Sequence, residues 1–154
     1  MGRVNHKFYL GIIILIHVGH IALLFLLWNQ IPPELPTHFN WKGEADSFGS
    51  ANSVLILPVI SMVLSVILYS ISFYPSSFNF PVQIKEENQE RQYRLAIHLL
   101  LRLNVIVSLL FFSISAEVLT HHLPEWRILF WLNPVFLLMI FLIMIDYFIK
   151  AVKK

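Results

Sequence analysis

Three polar segments divide the chain into four long apolar runs. Residues 8–28 and 54–73 are each about 20 residues long, which is the length at which an α-helix spans the ~30 Å hydrocarbon core of a bilayer. The last run, residues 129–147, contains Pro134, which predicts a kink or a late helix start. The pattern therefore indicates helices that cross a membrane.

The third apolar run begins inside a charged segment. Five polar side chains recur there at spacings of three and four and so share one helix face: Glu87, Arg91, Arg94, His98 and Arg102. Glu87 with Arg91, and Glu90 with Arg94, are favourable i,i+4 pairs. We therefore expect one long helix that starts at the level of the lipid head groups and continues into the apolar residues 103–116.

Composition supports a membrane location. Hydrophobic residues make up 57% of the 154 residues and charged residues only 13%, outside the usual balance of a soluble domain. The chain has no cysteine, which excludes disulfides, thiolate metal sites and cysteine nucleophiles. A formal charge of +2 does not favour nucleic-acid binding. Residues 1–154 are expected to form a single membrane domain.

Lysine and arginine flank the runs unequally. Nine lie near the two termini or in the second connection, whereas only Lys42 and Arg127 lie in the other two connections. By the positive-inside rule, both termini and the second connection are cytoplasmic. The sequence thus predicts an all-α membrane protein with four transmembrane helices in an up-down-up-down bundle. Residues 29–52 form an extracytoplasmic loop, and residues 74–94 form a cytoplasmic loop with the amphipathic start of helix 3.

The extracytoplasmic loop is rich in groups that bind ligands. His38 and Asn40 alternate with aromatic residues, which favours aromatics on the membrane interface and a polar pair facing a partner or the acidic residues Glu44 and Asp46. Such a loop could recognise a partner or hold a divalent cation such as zinc. The alternative is a self-contained Ω-loop, with Lys42-Gly43 as a turn and both carboxylates capping backbone amides. Asp46 or Ser50 would then start the second span.

His17 and His20 lie on one face of the first span. They are either hydrogen-bonding groups between helices or, with Glu117 near the outer end of the third span, part of a polar pocket for a metal or a proton. Three further histidines could border that pocket from outside: His38, His121 and His122. No H-E-x-x-H or G-x-S-x-G pattern occurs, so catalysis is the weaker hypothesis.

Arg91, Arg94 and Arg102 form a basic stripe at the expected cytoplasmic interface. Such a stripe attracts anionic lipid head groups at about 1 kcal/mol per residue. The same charges also satisfy the orientation rule, which explains them without a specific lipid.

Two segments resemble a bacterial membrane-domain family of unknown function that also forms the N-terminal half of SdpI-like toxin-immunity proteins. The first is Leu35-Pro36-Thr37-His38-Phe39-Asn40, followed by Gly43-Glu44, Asp46 and Phe48-Gly49-Ser50. The second is Phe80-Pro81-Val82, followed by Glu86-Glu87-Asn88, Glu90-Arg91-Gln92-Tyr93 and Leu95. The resemblance implies a multi-pass protein of the bacterial plasma membrane that binds or senses an extracellular peptide or toxin.

In that interpretation six loop residues contact the ligand or partner: His38, Asn40, Gly43, Glu44, Asp46 and Gly49. The expected partners are the lipid bilayer and either an extracellular peptide or another membrane subunit, and no cofactor is required. Gly11 and Gly19 would allow close helix approach in a homo-oligomer. The alternative function is a small transporter, or a zinc-binding membrane protein or enzyme, that uses His17, His20, Glu117 and the loop acids.

Overall fold

The computed structural model describes residues 4–123 and 128–153, which form four long helices and one β-hairpin. The helices are α1 (His6–Leu27), α2 (Ile56–Ile71), α3 (Glu86–Thr120) and α4 (Ile128–Val152). The strands β1 (Glu34–Phe39) and β2 (Ala45–Ser50) pair antiparallel between α1 and α2. Short 3-10 turns occur at Trp28–Gln30, Ala51–Leu55 and Pro75–Ser77.

Four helices in the described part of the chain are long and apolar enough to cross a membrane, as the apolar runs predict. The single long third helix is confirmed, since α3 continues without a break through its charged start. The late start proposed for the last helix is wrong. α4 begins at Ile128 and remains helical through Pro134, as proline is tolerated in membrane-spanning helices where neighbouring groups and small local adjustments satisfy the backbone oxygen that it leaves unpaired.

The fold is not purely helical, which corrects the all-α prediction. Residues 29–52 contain a two-stranded sheet whose register shifts between Pro36 and His38 and again between His38 and Phe39. These irregularities, together with Pro36 and Gly49, break the strict alternation of apolar and polar residues by which a strand is recognised in a sequence.

α3 is the central helix of the bundle and contacts α1, α2 and α4. It contains most of the buried polar side chains, including Gln92, Asn104 and Ser115. The other three helices expose many large apolar side chains, as expected where a helix faces lipid. The interior of the bundle is therefore more polar than its periphery.

The hairpin is anchored to one end of the bundle by Leu35. This side chain is fully buried and packs with Leu24 of α1, Val54 before α2, and Val118 and Leu119 of α3. Because elements from three parts of the chain meet at Leu35, the hairpin has a fixed position on the bundle. We call this end, where Leu35 packs, the hairpin end.

Candidate functional site

The hairpin brings together the polar residues that the sequence singles out. Nδ1 of His38 in β1 lies 2.5 Å from Oδ1 of Asp46 in β2, and both side chains are exposed. Beside them, Thr37 Oγ1 donates to Ser47 Oγ at 3.2 Å. These contacts leave an imidazole and a carboxylate in direct contact on a surface that a partner could reach.

Asn40 organises the turn between the two strands. Its Oδ1 accepts hydrogen bonds from the backbone N–H of Lys42 at 2.8 Å and of Glu44 at 3.1 Å, and its Nδ2 donates to Glu44 Oε2 at 3.0 Å. The turn therefore satisfies several of its own polar groups. Asn40 caps two backbone amides, whereas the carboxylates of Glu44 and Asp46, which were expected to cap amides, contact the side chains of Asn40 and His38. Ser50 precedes the 3-10 turn at Ala51–Leu55 without a capping bond from its side chain.

Two glycines occupy hairpin positions where a larger residue would collide with its neighbours. Gly43 has φ +78°, which L side chains rarely adopt, and a Cβ there would lie 2.9 Å from the Phe130 ring of α4. A Cβ on Gly49 would lie 2.8 Å from Thr37 Cγ2 across the sheet. Both predicted site glycines thus have a structural role, and Gly43 also brings the turn against α4.

The aromatic residues of the hairpin differ in exposure. Phe39 is partly buried against the cluster around Leu35, whereas Trp41 at the turn is 83% exposed with Lys42 Nζ 5.5 Å from its ring centre. Phe48 is 52% exposed and its ring contacts His121 at the end of α3. An exposed tryptophan beside polar residues is typical of a segment at a membrane–water interface.

His17, His20 and Glu117 do not converge on one point. His20 is fully buried, with Nε2 2.7 Å from Ser115 Oγ of α3, as expected of a group that joins two helices. Glu117 Oε2 accepts a hydrogen bond from Asn133 Nδ2 of α4 at 2.6 Å. Within residues 4–123 and 128–153, no three His, Cys, Asp or Glu side chains lie close enough to hold a metal ion. The zinc hypothesis therefore gains no geometric support from these residues.

The buried side-chain amide of Asn104 inside the bundle was not predicted from the sequence. Ser65 Oγ of α2 donates to Asn104 Oδ1 of α3 at 2.7 Å, and Asn104 Nδ2 donates to the backbone oxygen of Ser65 at 2.8 Å. Ser108, one turn further along α3, also bonds Asn104. The sequence does contain a signal for this contact: Asn104 and Ser108 lie four residues apart within an apolar run, where polar residues usually face another helix.

The arginines of the basic stripe contact other groups of the same chain. Arg91 donates to the backbone oxygens of Lys150, Ala151 and Lys153 at the C-terminus of α4, at 3.0, 3.5 and 2.5 Å. Gln92 Nε2 adds a buried bond to the oxygen of Ala151 at 2.8 Å. The final carbonyls of a helix lack intrahelical donors, so these side chains satisfy groups that α4 leaves unpaired.

The other two arginines contact carboxylates. Arg94 pairs with Glu90 at 3.3 Å, as predicted, whereas the predicted Glu87–Arg91 pair is replaced by the contacts of Arg91 with α4. Arg102 Nη1 lies 3.7 Å from Asp146 Oδ2 of α4. Binding of lipid head groups by the stripe stays a prediction, with Arg91 the least available of the three.

The fold places the chain in the class of multi-pass membrane proteins, with a hairpin at one end of the bundle. Residues 14–62, from α1 through the hairpin into α2, match a domain of unknown function, DUF1648. An uncharacterized protein of Archaeoglobus fulgidus is 30% identical to this chain, with 77% of this chain and 75% of the archaeal protein covered by the match. The chain belongs to the same family as this archaeal protein, and the function of the family is unknown. No solved structure matches.

Proposed function

We propose that this chain is an SdpI-like protein of the plasma membrane whose hairpin binds an extracellular peptide or toxin and thereby protects or signals. The observation that supports this function is the hairpin itself. It exposes His38, Asp46 and Trp41 on a scaffold that Leu35 fixes to the helices. Binding sites are commonly loops held by a rigid framework, because the framework limits the entropy lost on binding.

The proposal includes an up-down-up-down bundle with both termini in the cytoplasm and the hairpin outside the cell. The asymmetry of lysine and arginine supports it. α1 and α3 run parallel, since the contacts Tyr9–His98 and His20–Ser115 follow the same order along both helices. α3 and α4 run antiparallel, since the contacts Arg102–Asp146 and Glu117–Asn133 follow opposite orders. These orders are those expected of helices that cross alternately.

Survival under toxin challenge tests the function. Cells that express the protein should survive membrane-active peptides from related bacteria better than cells in which the gene is deleted, and His38→Ala and Asp46→Ala should remove most of that protection. Each substitution removes one half of the exposed His38–Asp46 contact without changing the buried core. Glu90→Ala is the matched control, because Glu90 is exposed and lies on α3 away from the hairpin.

Equal membrane levels of all variants, measured by immunoblot, are required for the comparison. Protection by the parent and by Glu90→Ala, combined with loss in both hairpin variants, supports the proposal. A protein that protects against none of the peptides, or that protects equally well without His38 and Asp46, contradicts it.

A further inference from the structure

The two strands of the hairpin differ in how well their outer edges can pair with another strand. β1 contains Pro36, which has no backbone N–H to donate, and Pro36 is buried, with β1 in contact with α3. β2 contains no proline, and its residues Asp46, Ser47, Phe48 and Ser50 are exposed. Proline is one way in which proteins block a sheet edge, and in this hairpin it occurs in β1 and not in β2.

A hydrogen bond at the open end of the hairpin indicates which backbone groups of β2 face outward. Ala51 N–H donates to the oxygen of Pro33 at 3.0 Å, so these two residues form a hydrogen-bonded pair. The next pair in the ladder, Ser50 with Glu34, is therefore a non-hydrogen-bonded pair. Bonded and non-bonded pairs alternate in an antiparallel ladder, so the backbone N–H and C=O of Phe48 and the N–H of Ser50 point away from β1. The C=O of Ser50, which is the N-cap residue of the 3-10 turn, accepts the first hydrogen bond of that turn. The position of Phe48 opposite Pro36, which cannot donate, agrees with this phase.

Charge indicates what kind of strand could pair there. Glu34, Glu44 and Asp46 place three carboxylates on the hairpin against the single ammonium group of Lys42. A second copy of the chain would bring another acidic hairpin to the same edge, and the like charges would repel each other. An extended segment that carries lysine or arginine would instead be attracted.

We infer that the outer edge of β2 is a pairing site for an extended, cationic peptide segment, which would add a third strand to the hairpin through the backbone N–H and C=O of Phe48 and the backbone N–H of Ser50. The inference rests on the proposed function, to which it adds the mode of binding and the charge of the partner. In this mode backbone hydrogen bonds supply the affinity, and alternate side chains supply the specificity.

Ser50 offers a substitution that blocks the edge without disturbing the hairpin. Its backbone has φ −53° and ψ 137°, which proline can adopt, and the preceding residue is Gly49. Its side chain makes no capping bond. Ser50→Pro therefore removes an outward N–H and places a ring at the edge, whereas Ser50→Ala changes the side chain and keeps the N–H.

The test uses the full-length chain in nanodiscs of zwitterionic lipid, which do not attract cationic peptides by themselves. The probe is a fluorescent peptide of sequence Lys-Val-Lys-Val-Lys-Val with blocked ends, and its binding is followed by fluorescence anisotropy. We expect Ser50→Pro to raise the Kd about tenfold and Ser50→Ala to change it less than about twofold. A version of the probe with alternate amides N-methylated should bind the unaltered protein about tenfold more weakly.

The N-methylated probe keeps the inference testable if Ser50→Pro folds poorly. The inference is overturned by no binding of the Lys-Val peptide, by equal binding to the proline and alanine variants, by equal binding of the N-methylated probe, or by equal binding of a Glu-Val peptide. A dimer in the nanodiscs that Ser50→Pro abolishes would overturn it in favour of pairing between two copies. If the edge fails these tests while protection still depends on His38 and Asp46, the proposed function stands and only the mode of binding is wrong.

Discussion

Leu35→Ala is expected to lower the free energy of unfolding by about 3 kcal/mol, in the range measured for other leucine-to-alanine changes in packed cores. Leu35 is completely buried among side chains from α1, α3 and the 3-10 turn before α2, so truncation leaves a cavity where the hairpin meets the bundle. The loss is measured by unfolding the purified protein in mixed micelles with increasing amounts of SDS. Proteolysis within the hairpin should accelerate in the same variant.

Leu15→Ala is the matched control for this experiment. Leu15 lies on α1 and is 71% exposed, on a surface expected to face lipid. The substitution removes the same atoms, but lipid or detergent can fill the space that they leave, so the free energy of unfolding should change by less than about 1 kcal/mol. Equal losses in the two variants would show that Leu35 does not anchor the hairpin to the helices.

Arg91→Ala is expected to cost about 2 kcal/mol of unfolding free energy and to loosen the end of α4. Its guanidinium group donates to three carbonyl oxygens at that end, and hydrogen bonds from charged groups are stronger than those between neutral groups. A positive charge at a helix C-terminus also interacts favourably with the helix dipole. Hydrogen–deuterium exchange of the last turn of α4 should increase, while exchange in α2 should be unchanged.

Arg91→Lys separates the effect of charge from that of geometry. Lysine keeps the positive charge but lacks the planar fork that reaches several acceptors at once, so its loss should be about half that of alanine. If both variants match the parent in stability and exchange, then Arg91 does not hold α4 and is available for lipid, as the basic stripe in the sequence suggests.

The helices were predictable because each is a continuous apolar run of nearly membrane length. Even α3, which begins among charges, follows from the spacing of Glu90 and Arg94 along one helix face. The strands were not predictable in the same way. Two register shifts and Pro36 remove the regular alternation, and the buried face of β1 depends on Leu35 meeting residues that are distant in sequence.

The local contacts of the hairpin could also be predicted from the sequence. His38 and Asp46 are eight residues apart and Asn40 and Glu44 are four apart, so the turn predicted at Lys42-Gly43 is enough to bring each pair together. The contacts of Arg91 could not be foreseen, because its partners are backbone oxygens of α4 and any residue type supplies those. The same holds for Asn104, whose bond to Ser65 requires the packing of α2 against α3.

Accessibility of two lysine positions from outside the cell tests the central claim, which is a multi-pass protein that presents its hairpin to the exterior. The chain has no cysteine, so Lys42→Cys in the turn of the hairpin and Lys85→Cys at the start of α3 each create a single thiol. A membrane-impermeant maleimide should label Lys42→Cys in intact cells and label Lys85→Cys only after lysis. Labelling of Lys85→Cys in intact cells, or protection of Lys42→Cys, would contradict the account.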